Sequence, residues 1–324
     1  MARGTRSWAG IAILCFSPGG FAWQIAVTGP LEPIRPHTLP QPASRPTLRV
    51  DSSLVLIPVH VTAASGSPVV GLKKEDFALF QDGVPQTITH FTQDDAAVSA
   101  GVLLDISGSM KNKLGRASAA AEAFFQSASP QDEFFLVEFN GRAKLKIPFT
   151  RDWSRITAEI AHAKASGFTA MLDAVQLAAE QMKHARNSRK ALIILSDGGD
   201  NFSRRNLRQL RSTLIESDLQ VYVLGVYDQD YSVRHSAEER RGPGLLDEVA
   251  LDTGGREFPV ASIDALPGIG RQLSRELRNQ YVLGYSPNAM AADGKYHHVK
   301  LTLIPKDQGP LHTYYRRGYY APQE

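Results

Sequence analysis

Between Val98 and about Leu266 the chain alternates short apolar runs with amphipathic stretches, and this alternation restricts its folding more than any other feature. Val98–Leu104, Glu133–Phe139, Lys190–Leu195 and Leu219–Val226 are short, rich in β-branched or aromatic residues, and bounded by polar positions, which predicts strands. Lys113–Ala128, Asp152–Ala163, Ala170–Lys183, Arg205–Ser217, Leu245–Leu251 and Asp264–Gln280 carry apolar residues at helical spacing, and Gly254-Gly255 supplies a stop after one of them. Strand–helix alternation of this kind implies an α/β fold, a doubly wound and mostly parallel sheet covered by helices on both faces.

The segments on either side follow different rules. From residue 49 to 95 the period is two: Val55, Ile57, Val59 and Val61 alternate with their neighbours, and Asp82-Gly83 separates two further apolar stretches as a hairpin turn would. Strand signals return over residues 281–324, at Tyr281–Tyr285, Tyr296–Ile304 and Leu311–Tyr320. Neither flank can bury its faces alone, so residues 49–95 and 281–324 are expected to form one small β-sandwich with the α/β unit, residues 96–280, inserted between them. Residues 23–48 hold prolines at 30, 33, 36, 40, 42 and 46, which leaves an extended linker. Residues 1–22 have the order of a signal peptide: Arg3 and Arg6, an apolar run from Trp8 to Phe16, then small residues ending at Ala22. That run is too short for a spanning helix, which needs roughly 20 apolar residues. Cys15, the single cysteine, lies inside it, so the mature chain would have neither a disulfide nor a cysteine metal ligand. The formal net charge of +3 over 324 residues gives no reason to expect nucleic acid as a partner.

Chemistry concentrates where the first strand of the α/β unit ends. Asp105-Ile106-Ser107-Gly108-Ser109 places one carboxylate and two hydroxyls on a short loop outside the carboxyl end of a strand, where ligands gather in doubly wound sheets, and Gly108 is expected to let that loop turn sharply. Asp197 follows the strand Lys190–Leu195 on the same rim, and Thr169 precedes the helix beginning near Ala170. Two carboxylates and three hydroxyls are hard oxygen donors, suited to Mg²⁺, Mn²⁺ or Ca²⁺ and unsuited to zinc or copper. A lone Asp-x-Ser-x-Ser also arises as a helix cap; five positions, each at a strand end or helix entrance, favour a metal. As a rim carboxylate, Asp105 is expected to contribute little to the core. Asp173 is expected to serve its helix dipole, and Asp200 to cap the next helix or sit behind the ligands.

This pattern resembles the von Willebrand factor A family, whose metal-ion-dependent adhesion site combines Asp-x-Ser-x-Ser with a distant Thr and a distant Asp on a Rossmann-like fold. Leu-Leu-Asp-Ile-Ser-Gly-Ser-Met, Thr-Ala-Met-Leu-Asp-Ala-Val and Leu-Ser-Asp-Gly-Gly-Asp-Asn look like that family's blocks. Gly71-Leu72-Lys73-Lys74-Glu75-Asp76-Phe77 and Tyr281-Val282-Leu283-Gly284-Tyr285, with the tail to Gly318-Tyr319-Tyr320, look like a bacterial exported group of VWFA-related domain proteins. The resemblance implies Ser107, Ser109 and Thr169 as direct ligands of the ion, Asp105 and Asp197 as ligands directly or through water, and an acidic side chain of a partner protein as the final ligand. It implies a binding module of the periplasm, cell surface or exterior.

Other signals are weaker. Arg204, Arg208 and Arg211 share a helical face that reads as solvated, and His297 and His298, adjacent on a strand, point to opposite sides. No Gly-x-Ser-x-Gly, His-Glu-x-x-His or Walker-type loop is present. The expected function is metal-dependent protein binding without catalysis. The alternatives are a structural envelope component with a purely stabilising metal, and a metal-assisted hydrolase, which lacks a recognisable general base.

Overall fold

The computed structural model describes residues 54–227, 242–260, 262, 265–287, 293–304 and 309–322. The expected signal peptide, Cys15 and the proline-rich linker lie outside them. Its centre is a six-stranded sheet of order β10-β9-β8-β5-β6-β7, formed by β5 (Val98–Asp105), β6 (Glu133–Phe139), β7 (Ala143–Thr150), β8 (Arg189–Ser196), β9 (Gln220–Gly225) and β10 (Glu257–Pro259). All pairs are parallel except β6–β7. Every residue of β5 and β6 is buried, as a strand covered on both faces requires.

The alternation of side chains along β5 divides the core in two. Ala100, Val102 and Leu104 join one apolar cluster with residues of α1 (Leu114–Phe125), α2 (Ser154–His162) and α6 (Leu266–Arg278). Leu103 joins the other, with α3 (Met171–Gln181), α4 (Leu207–Glu216) and α5 (Gly242–Thr253). Helices therefore cover both faces of a doubly wound, mostly parallel sheet, as the alternation predicts. Gly101 sits on β5 where Phe135 of β6 crosses: a Cβ there would lie 2.2 Å from the ring's Cζ. None of the helices among the described residues is long and apolar enough to cross a membrane.

The flanking segments form two antiparallel four-stranded sheets, β13-β1-β11-β4 and β14-β12-β2-β3. The first uses β1 (Val55–Ala63), β4 (His90–Asp95), β11 (Asn279–Tyr285) and β13 (Leu311–Tyr315); the second uses β2 (Phe77–Gln81), β3 (Val84–Gln86), β12 (Tyr296–Leu303) and β14 (Gly318–Tyr320). Each sheet mixes strands from before and after the α/β unit, and Ile57, Val59, Phe77, Leu79, Tyr281, Leu283 and Leu301 share one core between them. Tyr285 ties the sheets together, its hydroxyl donating to Gln81 Oε1 at 2.9 Å. The α/β unit is thus inserted in a shared sandwich.

Two differences from the sequence reading are instructive. Asp82 (φ 49°) and Gly83 (φ 82°) do make the tight turn, but the returning strand is only Val84–Gln86, an edge on which Pro85 costs no ladder bond. The chain then leaves for the other sheet as β4. The second difference is β7, which the sequence reading left out. Ala143, Leu145, Ile147 and Phe149 alternate with Lys144, Lys146 and Pro148, the signature of an antiparallel edge.

Polar side chains fix α6 and the β11 strand that follows it to the amino end of the central sheet. The Arg189 guanidinium donates to the carbonyls of Leu277 (3.1 Å) and Arg278. Arg278 pairs with Asp132, Arg256 with Glu276, and Gln280 Nε2 donates to Gln220 Oε1 at 2.7 Å.

Candidate metal centre

At the opposite, carboxyl end of the sheet the chain leaves β5 at Asp105. Ile106 N–H still bonds to Phe139 O (2.8 Å), Ser107 is extended, and Gly108–Met110 form a single 3₁₀ turn with Met110 buried as a plug beneath. Gly108 does not adopt a positive φ. Its requirement is close approach: its N–H donates to Gly167 O at 3.0 Å, and a Cβ would lie 3.4 Å from that oxygen. This contact brings the loop carrying Thr169 against the loop carrying the serines.

Asp105 is 0% exposed, so it is not the rim residue expected from sequence. Its Oδ1 accepts the Ser107 N–H at 2.8 Å and its Oδ2 accepts the Ser196 hydroxyl at 2.6 Å. Burial, reinforced by the charge of Asp197, pushes this carboxyl up to about 7 against the opposing help of those hydrogen bonds. Ser107 Oγ lies 3.1 Å from Ser109 Oγ, which donates to Asp197 Oδ1 at 3.2 Å. Asp197 Oδ2 accepts from the ammonium of Lys113 at 2.6 Å. Four of the five expected residues therefore form one polar cluster. Thr169 is buried on the adjoining loop, where its backbone N–H donates to Asn201 Oδ1 (2.9 Å) and its carbonyl accepts from Asn201 and Phe202 (3.0 Å each). No hydrogen bond joins its hydroxyl to the other four among the described residues.

The donor set fits a hard divalent ion. Neighbouring ligand oxygens of an octahedral ion with bonds of about 2.1 Å stand roughly 3 Å apart, close to the spacings Ser107–Ser109 and Ser109–Asp197. No group of three or more His, Cys, Asp or Glu that could hold a metal occurs among the described residues, so an ion held here would need hydroxyls as its remaining donors.

Sequence reasoning missed Lys113, Ser196 and Asn201. Lys113 is 1% exposed although it stands at the entrance to α1, where a lysine is ordinarily solvated. The signal for Ser196 was its place directly before Asp197 on a strand end. Asp173 and Asp200 lie apart from the cluster. Asp173 accepts from the backbone N–H of Arg204 and Arg205 (3.3 Å) rather than capping α3, and Asp200 accepts from Ser203 N–H, while Asn206 caps α4 through Gln209 N–H. Phe168 and Phe202, each beside a site loop residue, are exposed and stacked on one another.

Residues 101–199 match the family model described as the von Willebrand factor type A domain. Comparison with curated proteins gave no match. Among solved structures, the conserved hypothetical protein BatB from Bacteroides thetaiotaomicron is similar at 20% identity over 56% of this chain and 98% of its own, with a TM-score of 0.44. A von Willebrand factor type A protein from Catenulispora acidiphila is similar at 14% identity over 76% and 72%, with a TM-score of 0.48. The PilB minor pilin from Streptococcus sanguinis is similar at 14% identity over 57% and 63%, with a TM-score of 0.41.

Proposed function

Since residues 101–199 match the von Willebrand factor type A domain, we propose that this chain is an exported protein-binding module whose partner is held through a divalent ion, Mg²⁺ or alternatively Mn²⁺ or Ca²⁺. The observation that carries this reading is the chain of hard oxygens from Ser107 through Ser109 to Asp197, with Asp105 directly behind it. Ser107, Ser109 and Thr169 would hold the ion, with Asp105 and Asp197 acting directly or through water. When bound, it offers an electropositive position suited to a carboxylate oxygen of an acidic side chain on a partner.

This chain's own residues set the terms of that binding. Asp105 orients the loop, since its two oxygens fix the Ser107 backbone and the Ser196 hydroxyl. Lys113 offsets part of the carboxylate charge, which leaves a bound ion with net positive character toward a partner. A hydrolytic role is disfavoured because the Asp105 carboxyl is sealed from solvent with both oxygens engaged and so is not placed to act as a general base. Export rests on Arg3, Arg6 and the apolar run ending at Phe16.

The test is a calorimetric titration of Mn²⁺ into wild type and Ser109→Ala, paired with capture of partners from the native envelope with and without chelator. Metal binding lost in the variant and capture lost with chelator support the reading. Equal metal affinity in both proteins refutes the site, and capture indifferent to chelator points to a purely stabilising metal.

A further inference from the structure

Among the described residues, Phe168 and Phe202 are the two phenylalanines that are large exposed hydrophobics, at 60% and 51% exposure. Their ring centroids are 5.1 Å apart with planes inclined by 7°, so they form one stacked apolar surface. Both belong to the loops of the metal centre: Phe168 directly precedes Thr169, and the Phe202 N–H donates to Thr169 O at 3.0 Å. The pair stands beside Gly141 on the loop after β6, where a Cβ would meet the Phe202 ring at 3.7 Å. Leaving two aromatic rings in water costs free energy that a core position would recover, and rigid aromatic side chains beside a polar anchor are what binding hot spots are made of.

Charge specifies the rest of the surface. Arg142, Arg204 and Arg205 are exposed and line a depression of about 610 Å³ beside the pair. Their guanidinium groups make no hydrogen bond or ion pair among the described residues. The two carboxylates in the same depression are engaged, Asp173 by the backbone of Arg204 and Arg205 and Glu180 by Gln176 Nε2 at 3.0 Å. Three guanidinium groups outnumber the two carboxylates, so the surface next to the metal centre is apolar at the rings and carries a small net positive charge beyond them.

We propose that Phe168 and Phe202 form an apolar clamp that selects, among acidic partners, a protein segment in which the aspartate or glutamate reaching the metal centre is followed by a large aliphatic side chain and further acidic residues. This rests on the metal-dependent reading above. The aliphatic side chain packs on the stacked rings while the additional carboxylates meet Arg142, Arg204 and Arg205.

Three fluorescently labelled, end-blocked peptides test it by anisotropy with the full chain in Mg²⁺: one with an aspartate flanked by leucines and followed by two glutamates, one with the leucines replaced by alanine, and one with the aspartate replaced by asparagine. The leucine peptide should bind about tenfold more tightly than the alanine peptide, and the Phe168→Ala/Phe202→Ala protein should lose that preference while its Mn²⁺ titration stays unchanged. Equal affinity for the leucine and alanine peptides, or a preference that survives in the double variant, overturns the clamp and leaves the metal reading standing. An asparagine peptide that binds as well as the aspartate peptide overturns the metal reading, and with it the proposal. Absence of binding by all three at millimolar concentration overturns the clamp, whereas the Mn²⁺ titration judges the metal centre separately.

Discussion

The two ends of the central sheet both bury charge, and they use it differently. At the amino end Arg189, Arg256 and Arg278 are spent on carbonyls and carboxylates that belong to α6 and to the starts of strands, and the result is a joint. At the carboxyl end Asp105, Asp197 and Lys113 are grouped with small hydroxyls on short loops, and the result is the cluster proposed above as a receptacle for an ion. Burial alone does not distinguish them. The difference lies in the partners: long side chains crossing between elements fix elements to each other, whereas hydroxyls a few atoms from their own backbone fix only a loop and keep lone pairs to offer.

The comparison breaks most severely at the joint. Replacing Arg256 by Met leaves the Glu276 carboxylate, 1% exposed, without its counter-charge, and should cost about 3–5 kcal/mol in urea unfolding. Mg²⁺ bound at the other end should raise wild type and variant equally, leaving the difference between them unchanged. A difference that shrinks with metal would erase the distinction between the two ends.

His60 sharpens the same contrast through pH. Its Nδ1 faces the Asn279 carbonyl at 3.3 Å, and Glu276 lies 3.7 Å from Nε2 but is committed to Arg256. Burial prevails and pushes the imidazole down to about 4. The folded state therefore favours the neutral ring: its contribution is fully present above the unfolded value near 6.5 and is lost as pH falls toward 4. The loss should reach about 3 kcal/mol at the acid end of that window. His60→Asn should flatten this part of the stability profile; an unchanged slope would remove His60 from the joint's account.

Smaller effects belong to the receptacle. Because Asp105 is buried and bonded on both oxygens, alanine there would strand the Ser196 hydroxyl, and asparagine is the cleaner substitution. Asp105→Asn should weaken Mn²⁺ binding by about 100-fold with native circular dichroism. An unfolded variant would show that this end also serves as a joint. Lys113→Met should destabilise the metal-free protein yet tighten Mn²⁺ binding by roughly tenfold, since it removes a positive charge next to the ion. Weaker binding in that variant would mean that Lys113 positions Asp197 instead of competing with the metal.

Much of this was legible in the sequence for identifiable reasons. β5, β6, β8 and β9 were readable because a strand buried on both faces is a continuous apolar run, and the helices because their stripes recur at 3.6 residues. Asp105, Ser107 and Ser109 were readable because two-residue spacing at a strand end places them on one loop whatever else folds. Lys113 was not, because nothing in its spacing says that a carboxylate 84 residues later will draw its ammonium inward. The joint was also hidden: Arg189, Arg256 and Arg278 look like ordinary surface arginines until the fold sets α6 beside the starts of β6 and β8. Interactions between side chains far apart in sequence leave no periodic trace.

The passage from α6 to β11 leaves no spare residue, since the helix ends at Arg278 and the strand begins at Asn279. An axial slide of that helix would therefore have to pull the strand along its neighbours. A strand advances about 3.4 Å per residue, and a shift of one residue turns each side chain to the opposite face, driving Tyr281, Leu283 and Tyr285 out of the sandwich interior. The sandwich thus works as a detent on the last helix: it tolerates no partial travel, and a piston-like stroke in this molecule would require the register of a whole sheet to be given up first.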